Sequence, residues 1–229
     1  MSQPFRLVFA LYPQLTQLDF TGPHEVLARL PGAECVLASA PGGMVESDSG
    51  LAFATVPLAS VTHCDLICVP GGFGCADAMR DPVMLAELRR LAGGARYITS
   101  VCTGSLVLAA AGLLKGRRAA CHWAWRDLLA EFDGVTPDAA RTVRDGPVFS
   151  GGGVTAGIDM ALTLLAELAG EAHARRVQLM IEYAPEPPFQ CGRPELADPA
   201  LVAQVRERLR HLVGPRQEAV RQAALALAA

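Results

Sequence analysis

The stretch RYITSVCTGSLVL, residues 96–108, decides the fold of this chain. An apolar, β-branched run over residues 97–101 ends abruptly at Cys102, and a helix-like run follows Gly104. The spacing Ser100-x-Cys102-x-Gly104 is the small-x-nucleophile-x-small pattern of a nucleophile elbow. Small neighbours are needed because a sharp strand-to-helix turn brings the two backbones close together. The pattern therefore predicts a strand, a tight turn and a helix, with Cys102 on the turn.

Cys102 is predicted to be a catalytic nucleophile. An elbow lifts the side chain clear of the sheet and places it at a helix N-terminus, where backbone N–H groups and the helix dipole favour a thiolate over a thiol. The alternative is a buried structural thiol, which is the common state of a cysteine in a cytosolic protein. The elbow spacing favours the functional interpretation.

Length and composition indicate a globular α/β protein. Of the 229 residues, 51% are hydrophobic and 19% are charged, which suits one sizeable domain, or at most two small ones, with a packed core. The formal net charge of −3 gives no electrostatic footprint for nucleic acid or an anionic membrane. We expect neither a signal peptide nor a membrane span, because the start of the chain lacks a basic and a long apolar region and charges interrupt the apolar runs.

Seven cysteines, an odd number in mostly apolar contexts, argue against a disulfide framework and favour a cytoplasmic location. Cys64 and Cys68 have the look of a metal-binding pair, but no second Cys/His pair with ligand spacing follows. We therefore expect buried thiols there and no metal site.

Strand-like runs alternate with helix-like runs along most of the chain. This alternation predicts an α/β fold: a flavodoxin-like, doubly wound, mostly parallel sheet with helices on both faces. Buried strands are predicted over residues 6–12 and 65–69, further strands over residues 34–40 and 97–101, and a short strand over residues 118–121.

Further elements complete the predicted fold. A helix is predicted over residues 23–30, with Pro23 near its first turn. The turn at residues 145–147 predicts a hairpin or two short edge strands, and Thr155 is a candidate cap for a helix over residues 156–169. We expect one domain over residues 1–190 and a helical extension over residues 191–229 that packs on the domain or on a dimer partner.

Ligands of parallel sheets bind outside the carboxyl ends of the strands, and this chain places its unusual residues at those ends. They are Asp19, Gly71-Gly72-Phe73-Gly74, Cys102-Thr103 and Gly151-Gly152-Gly153-Val154.

Asp19 is the candidate general acid. It lies between Leu18 and Phe20, and a carboxyl group in an apolar pocket has a raised pKa, so it can stay protonated near neutrality. This role requires that the loop carrying Asp19 folds over Cys102. The alternative is a solvated side chain that caps the helix beginning near Gly22.

The glycine turn and His122 are two further candidates. The turn at residues 71–74 matches neither common phosphate-binding motif, but its free N–H groups beside a nucleophile suit an oxyanion site. His122 could serve as the base of a Cys-His pair; packing, or lining of a substrate pocket together with Trp123, is the alternative.

Several of these motifs together resemble the ThiJ/PfpI family of the class I glutamine amidotransferase-like superfamily. They are Pro70-Gly71-Gly72, Val101-Cys102-Thr103-Gly104, Gly116-Arg117-Arg118-Ala119 and His122-Trp123. The resemblance covers residues 5–190 approximately and is strong for the superfamily but weak for the reaction.

Four longer stretches, at residues 17–24, 98–108, 151–159 and 178–185, look like the isocyanide hydratases of that family. This resemblance implies a homodimeric, cofactor-free enzyme that adds water to a small-molecule isonitrile and releases an N-substituted formamide. It carries over Cys102 as nucleophile, Asp19 as acid partner and Thr103 as a neighbouring polar contact. The N–H groups of Gly72 and Thr103 are expected to form the oxyanion site. The expected lining of the substrate pocket is Phe73, His122, Trp123 and Val154.

Three alternatives stay open at this point. A glyoxalase or deglycase acting on α-ketoaldehydes needs much the same thiolate site. A ligand-sensing domain like those fused to AraC-type regulators has a similar cysteine region, but the segment after residue 190 is too short for two helix-turn-helix units. A redox sensor would use oxidation of a reactive Cys102.

Overall fold

Ten β-strands form within residues 4–228, the part of the chain that the computed structural model describes. They are β1 Phe5–Leu11, β2 Ala33–Ser39, β3 Gly43–Glu46, β4 Ala52–Pro57, β5 Leu66–Val69, β6 Tyr97–Val101, β7 Arg118–Ala120, β8 Thr136–Asp138, β9 Thr142–Asp145 and β10 Val148–Gly151. Residues 1–3 and 229, at the ends of the two predicted segments, lie outside this described part.

Eight strands form one sheet in the order β3-β4-β2-β1-β5-β6-β10-β9. From β4 to β10 the neighbours run parallel, while β3 and β9 are antiparallel edge strands. The five strands β2-β1-β5-β6-β10 have the 2-1-3-4-5 order of flavodoxin-like sheets. The predicted fold class is therefore confirmed, and so is the hairpin, which β9 and β10 form.

The same part of the chain contains eight α-helices. They are α1 Leu18–Leu27, α2 Cys75–Ala78, α3 Pro82–Ala92, α4 Gly104–Ala110, α5 Ala156–Ala169, α6 Glu171–Met180, α7 Pro199–Arg208 and α8 Val213–Ala228.

Helices cover both faces of the sheet. On one face α1 packs against α5, and on the other α3, α4 and α8 pack together. Because both faces are covered, the two central strands β1 and β5 contain continuous apolar runs. Residues Leu7 to Leu11 of β1 are all fully buried, as are all four residues of β5.

Helix α1 begins five residues earlier than predicted, so Asp19 lies in its first turn and not in a loop. The prediction used Pro23 as a start signal, but Pro23 lies inside the helix. The helix starts earlier because Phe20, in its first turn, is buried in the core. The ring centroid of Phe20 lies 6.2 Å from that of Phe9 and 4.8 Å from that of Phe53.

The short strand predicted over residues 118–121 is confirmed as β7, which pairs with β8 in a separate two-stranded sheet. Thr155 occupies the N-cap position of α5, yet its side chain makes no capping hydrogen bond. By contrast, Asp81 caps α3 as a side-chain acceptor for two N–H groups, at 2.9 and 3.1 Å.

The C-terminal helices pack on the α/β layer. Helix α8 contacts α2, α4 and the 3-10 turn Arg126–Glu131, and Ala219 and Val220 are buried in this contact. Within residues 4–228, no helix combines the length and the apolar character that a bilayer crossing requires.

We predict that Gly104→Ala destabilises the fold by about 2 kcal/mol or more, because an added Cβ would overlap the carbonyl oxygen of Val69. Urea unfolding measures the effect as a lower midpoint at unchanged slope. Gly94→Ala is the control, since its Cβ would approach only the Leu91 carbonyl oxygen, at 4.0 Å. Equal midpoints for the two variants would contradict the steric argument.

Candidate active site

Cys102 lies on a strained turn between β6 and α4. Its φ angle is +58°, in the left-handed region that non-glycine residues rarely adopt. The Cys102 N–H donates to the carbonyl oxygen of Gly151 at 2.8 Å, and this bond holds the turn against β10. The turn has the strand, φ angle and helix of a nucleophile elbow.

Asp19 lies beneath this turn and is fully buried. Its Oδ2 accepts a hydrogen bond from the Gly71 N–H at 2.9 Å. A Cβ on residue 71 would come within 2.5 Å of the Thr103 nitrogen and 2.8 Å of Asp19 Oδ2. Glycine at position 71 is therefore what allows β5, α1 and the elbow to meet.

Burial raises the pKa of Asp19 to about 7, although hydrogen bonds from the Gly71 N–H and the Cys102 thiol lower it in part. The other carboxyl oxygen, Oδ1, has no partner of hydrogen-bond geometry within residues 4–228, so the thiol contact is a loose one. The predicted raised pKa of Asp19 agrees with this direction, and the carboxyl group can exchange a proton near neutral pH.

Burial also raises the pKa of the Cys102 thiol well above its ordinary value, and the negative charge of Asp19 raises it further. The Thr103 N–H and the Arg216 guanidinium lower it, with smaller effects. In the resting protein, desolvation therefore favours the thiol over the thiolate that was expected at the helix N-terminus. Above about pH 7 the Asp19–Cys102 pair therefore carries one proton and one negative charge.

Thr103 connects the elbow to the glycine turn. Its hydroxyl oxygen accepts the Gly72 N–H at 3.1 Å, and its carbonyl oxygen accepts the Cys75 thiol at 3.4 Å. The Gly72 N–H, expected to bind an oxyanion, is therefore already engaged in the resting site. The Thr103 N–H instead interacts with the Cys102 sulfur.

A cavity of about 290 Å³ opens at Cys102. Residues that the sequence pointed to line part of it: Gly72, Phe73, Cys102, Thr103, His122 and Val154. The rest of the lining was not anticipated and consists of Thr16, Asp48, Trp125, Val205, Leu209 and Arg216. The walls are largely apolar, and the Thr16 hydroxyl donates to Asp48 at 2.5 Å.

Trp123 does not line this cavity. It borders two neighbouring cavities, and the Arg206 guanidinium lies 5.2 Å from its ring centroid. It is Trp125, two residues further on, that faces the Cys102 cavity.

His122 reaches the cavity wall but is poorly suited to act as a base. Burial, together with the positive charge of Arg216, lowers its pKa to about 4, so the ring is neutral at pH 7. Its Nδ1 accepts the Ala124 N–H at 3.3 Å, which orients the imidazole. Asp19 is left as the group beside Cys102 with a pKa near neutrality.

Arg216 of α8 is a buried cation in the site that sequence reasoning missed. It belongs to an Ala/Leu/Arg-rich tail with no motif, yet it is only 2% exposed. Its Nη2 donates to the carbonyl oxygen of Gly72 at 2.9 Å. A local pattern could not reveal a contact between residues 144 positions apart.

The other cysteines have free thiols, and no group of three or more His, Cys, Asp or Glu residues within the described range could hold a metal ion. Burial raises the pKa of Cys68 and of Cys121 to about 12. Neither thiol is paired with a carboxyl group as Cys102 is.

A model of the DJ-1/PfpI family matches residues 6–167, and the chain belongs to this family. Over 222 residues it is 49% identical to an isonitrile hydratase from Pseudomonas putida, and 96% of each sequence is covered. The crystal structure of a ThiJ/PfpI family protein from Pseudomonas syringae superimposes with a TM-score of 0.87 at 39% identity, covering 96% of this chain and 90% of the other. The family and fold expected from the sequence are thereby confirmed.

A transcriptional regulator is also similar in part. The HTH-type regulator GlxA from Rhizobium meliloti is 34% identical over 171 residues, which cover 74% of this chain and 53% of the regulator. The similarity to the hydratase thus extends over more of both proteins.

We predict that Asp19→Asn becomes more stable relative to the wild type as pH rises from 4 to 8. The carboxyl group ionises at 3.8 when unperturbed and at about 7 in the folded protein. The stabilisation it provides is therefore complete below pH 3.8 and is lost as pH rises to about 7, whereas asparagine does not titrate. The change amounts to a few kcal/mol, on the order of 1.4 kcal/mol per pKa unit.

Thermal unfolding at several pH values measures this effect as the difference in Tm between variant and wild type. A difference that is constant from pH 4 to pH 8 would contradict a raised pKa for Asp19.

Proposed function

We propose that this protein is an isocyanide hydratase that converts an isonitrile, R–N≡C, and water into an N-substituted formamide. The observation that carries the proposal is the buried Asp19–Cys102 pair, in which Cys102 lines an apolar cavity and Asp19 behind it has a pKa raised to about 7. The similarity to an isonitrile hydratase over nearly the whole chain supports the same reaction.

The first step is addition of the thiol to the isonitrile carbon. An isonitrile carbon accepts a soft nucleophile, so a sulfur suits it better than a hydroxyl group. The proton of Cys102 passes to Asp19, the sulfur forms a bond to carbon, and Asp19 returns the proton to that carbon. The product is a thioimidate, R–N=CH–S–Cys102, and no atom is gained or lost beyond the two reactants.

The second step is hydrolysis of the thioimidate. Asp19, ionised again, takes a proton from water as the hydroxide adds to the carbon, and it passes this proton to the nitrogen. Asp19 then moves the proton of the new hydroxyl group to the sulfur as the C–S bond breaks, which releases R–NH–CHO and restores the thiol. Covalent catalysis divides one difficult step into two, and one carboxyl group acts as base and acid in turn.

Other parts of the site suit this sequence of steps. The Thr103 N–H interacts with the Cys102 sulfur and can hold negative charge as it develops. The apolar side chains of Phe73, Val154 and Leu209 suit the hydrocarbon group of a small isonitrile and exclude bulk water. The reaction needs neither metal nor cofactor.

A second copy of the chain is the proposed partner. The resemblance implies a homodimer, and the exposed apolar side chains of Leu179 and Met180 at the end of α6 support it. The cytoplasm is the proposed location.

Turnover of a small neutral isonitrile, such as cyclohexyl isocyanide, tests the reaction against methylglyoxal as the competing substrate. We expect formamide formation with the isonitrile and little turnover of the aldehyde. Intact mass spectrometry after rapid acid quench should detect a Cys102 adduct equal in mass to the isonitrile. The reverse substrate preference would favour the glyoxalase alternative.

Cys102→Ala should abolish isonitrile turnover, because Cys102 is the cysteine among the residues that line the cavity. Cys35→Ala is the matched control, since Cys35 lies half-buried on β2 and is not among the residues that line the cavity. Full activity in the Cys102 variant would contradict the covalent mechanism.

The pH dependence of kcat/KM should show an ascending limb with an apparent pKa near 7. Below this pH both members of the pair are protonated and Asp19 cannot accept the thiol proton. In Asp19→Asn, we expect a loss of at least about a hundredfold, since general acid–base catalysis contributes roughly 10²–10⁴, and no limb near pH 7. An unchanged limb in this variant would assign the titration to another group.

A further inference from the structure

Arg216 is a buried cation without an anionic partner. Its guanidinium lies 4.2 Å from the ring centroid of Trp125 and donates to the Gly72 carbonyl oxygen. Its Nε makes no hydrogen bond within the described residues, and none of the ion pairs there includes Arg216. Burying a charge without an ion-pair partner costs free energy of folding. The buried position of Arg216 therefore points to a function.

The active site contains the complementary charge. Asp19 is also buried, and it too forms no ion pair within residues 4–228, while the Asp19–Cys102 pair gains a negative charge as pH rises through about 7. Arg216 lines the same cavity as Cys102. Arg216 thus brings a positive charge to the wall where Cys102 lies, and Asp48, the acidic side chain among the lining residues, accepts the Thr16 hydroxyl.

The positive charge of Arg216 affects the pKa of the Cys102 thiol and not that of Asp19. Burial is the main influence on the pKa of Cys102, and Arg216 acts against it. The pKa of Asp19 responds to burial, Gly71, Cys102 and Asp48. The other titratable groups that Arg216 faces are Tyr12, Cys75, Cys121 and His122.

We propose that Arg216 is a positioning residue whose positive charge favours negative charge on the Cys102 sulfur. Because the sulfur is then ionised, the shared proton stays on Asp19 when the sulfur attacks. This inference rests on the proposed function of Cys102 as the nucleophile. The proton moves from Sγ of Cys102 to a carboxyl oxygen of Asp19 and then to the isonitrile carbon. The guanidinium takes no part in this proton transfer.

This role belongs to the C-terminal helices and not to the matched family domain. The family model ends at residue 167, whereas Arg216 enters the site from α8. Helix α8 therefore adds a positive charge to a site whose proposed nucleophile and acid, Cys102 and Asp19, lie in the family domain.

The rate of Cys102 alkylation by iodoacetamide between pH 6 and 10 tests the inference, because this rate follows the thiolate fraction. It is measured by peptide mass spectrometry in a Cys191→Ala background, which removes the exposed thiol. In Arg216→Met, we expect about tenfold slower alkylation at pH 7.5 and a profile displaced upward by about one pH unit. kcat for a neutral isonitrile should fall while KM changes little.

Two further variants separate charge from packing. Arg216→Lys keeps the charge but loses the planar stacking on Trp125, so its alkylation profile should stay close to that of the wild type. Arg221→Met removes a charge from the surface of the same helix, where Arg221 pairs with Glu218, and should change nothing. Thermal unfolding shows whether each variant is folded.

Three results would overturn the inference. One is a folded Arg216→Met variant with the wild-type alkylation profile, and another is an equal displacement in Arg216→Lys and Arg216→Met. The third is an increase in KM confined to a carboxylate-bearing isonitrile such as isocyanoacetate, which would make Arg216 a substrate-binding residue. If the wild type hydrates no isonitrile but the alkylation profile still shifts in Arg216→Met, the proposed function fails and the role of Arg216 stands.

Discussion

The left-handed backbone of Cys102 is the constraint on which the rest of the site depends. A non-glycine residue in this conformation costs on the order of 1–3 kcal/mol, so the surrounding structure must hold it. The hydrogen bond to Gly151 ties the turn to β10, and Gly104 allows α4 to start against the carbonyl oxygen of Val69. Parallel pairing of β5, β6 and β10 brings these three points together at one edge of the sheet.

This turn also places two buried acidic groups, the Cys102 thiol and the Asp19 carboxyl group, next to each other. The helix N-terminus and the Thr103 N–H favour a thiolate at Cys102, but desolvation and the charge of Asp19 favour a thiol, and they dominate. The same burial raises the pKa of Asp19 to about 7. The pair thus shares one proton between sulfur and carboxylate, whereas the sequence favoured a thiolate at Cys102. Because the Asp19 carboxyl group titrates near neutral pH, it can serve as base and as acid in the two steps of the proposed reaction.

Features set by neighbouring residues could be predicted from the sequence. The elbow follows from the small residues at positions 100 and 104, and the cap of α3 from Asp81 before Pro82. The raised pKa of Asp19 could be anticipated because Leu18 and Phe20 flank it. Features set by distant packing could not: α1 starts early because Phe20 packs against Phe9 and Phe53.

Arg216 marks the limit of sequence reasoning most clearly. Its position in the site depends on how α8 docks on α2 and α4, and its partners Gly72 and Trp125 lie far from it in the sequence. The charge balance of the cavity therefore emerges only when the chain is folded.

The most direct test of the central claim is an infrared titration of the Asp19 carboxyl group, with Asp19→Asn used to assign its protonated C=O band. The account predicts that this band persists through weakly acidic pH and disappears with a midpoint near 7. A band lost at the ordinary value of an aspartate, near 3.8, would mean that Asp19 is ionised throughout and would contradict a shared proton at the active site.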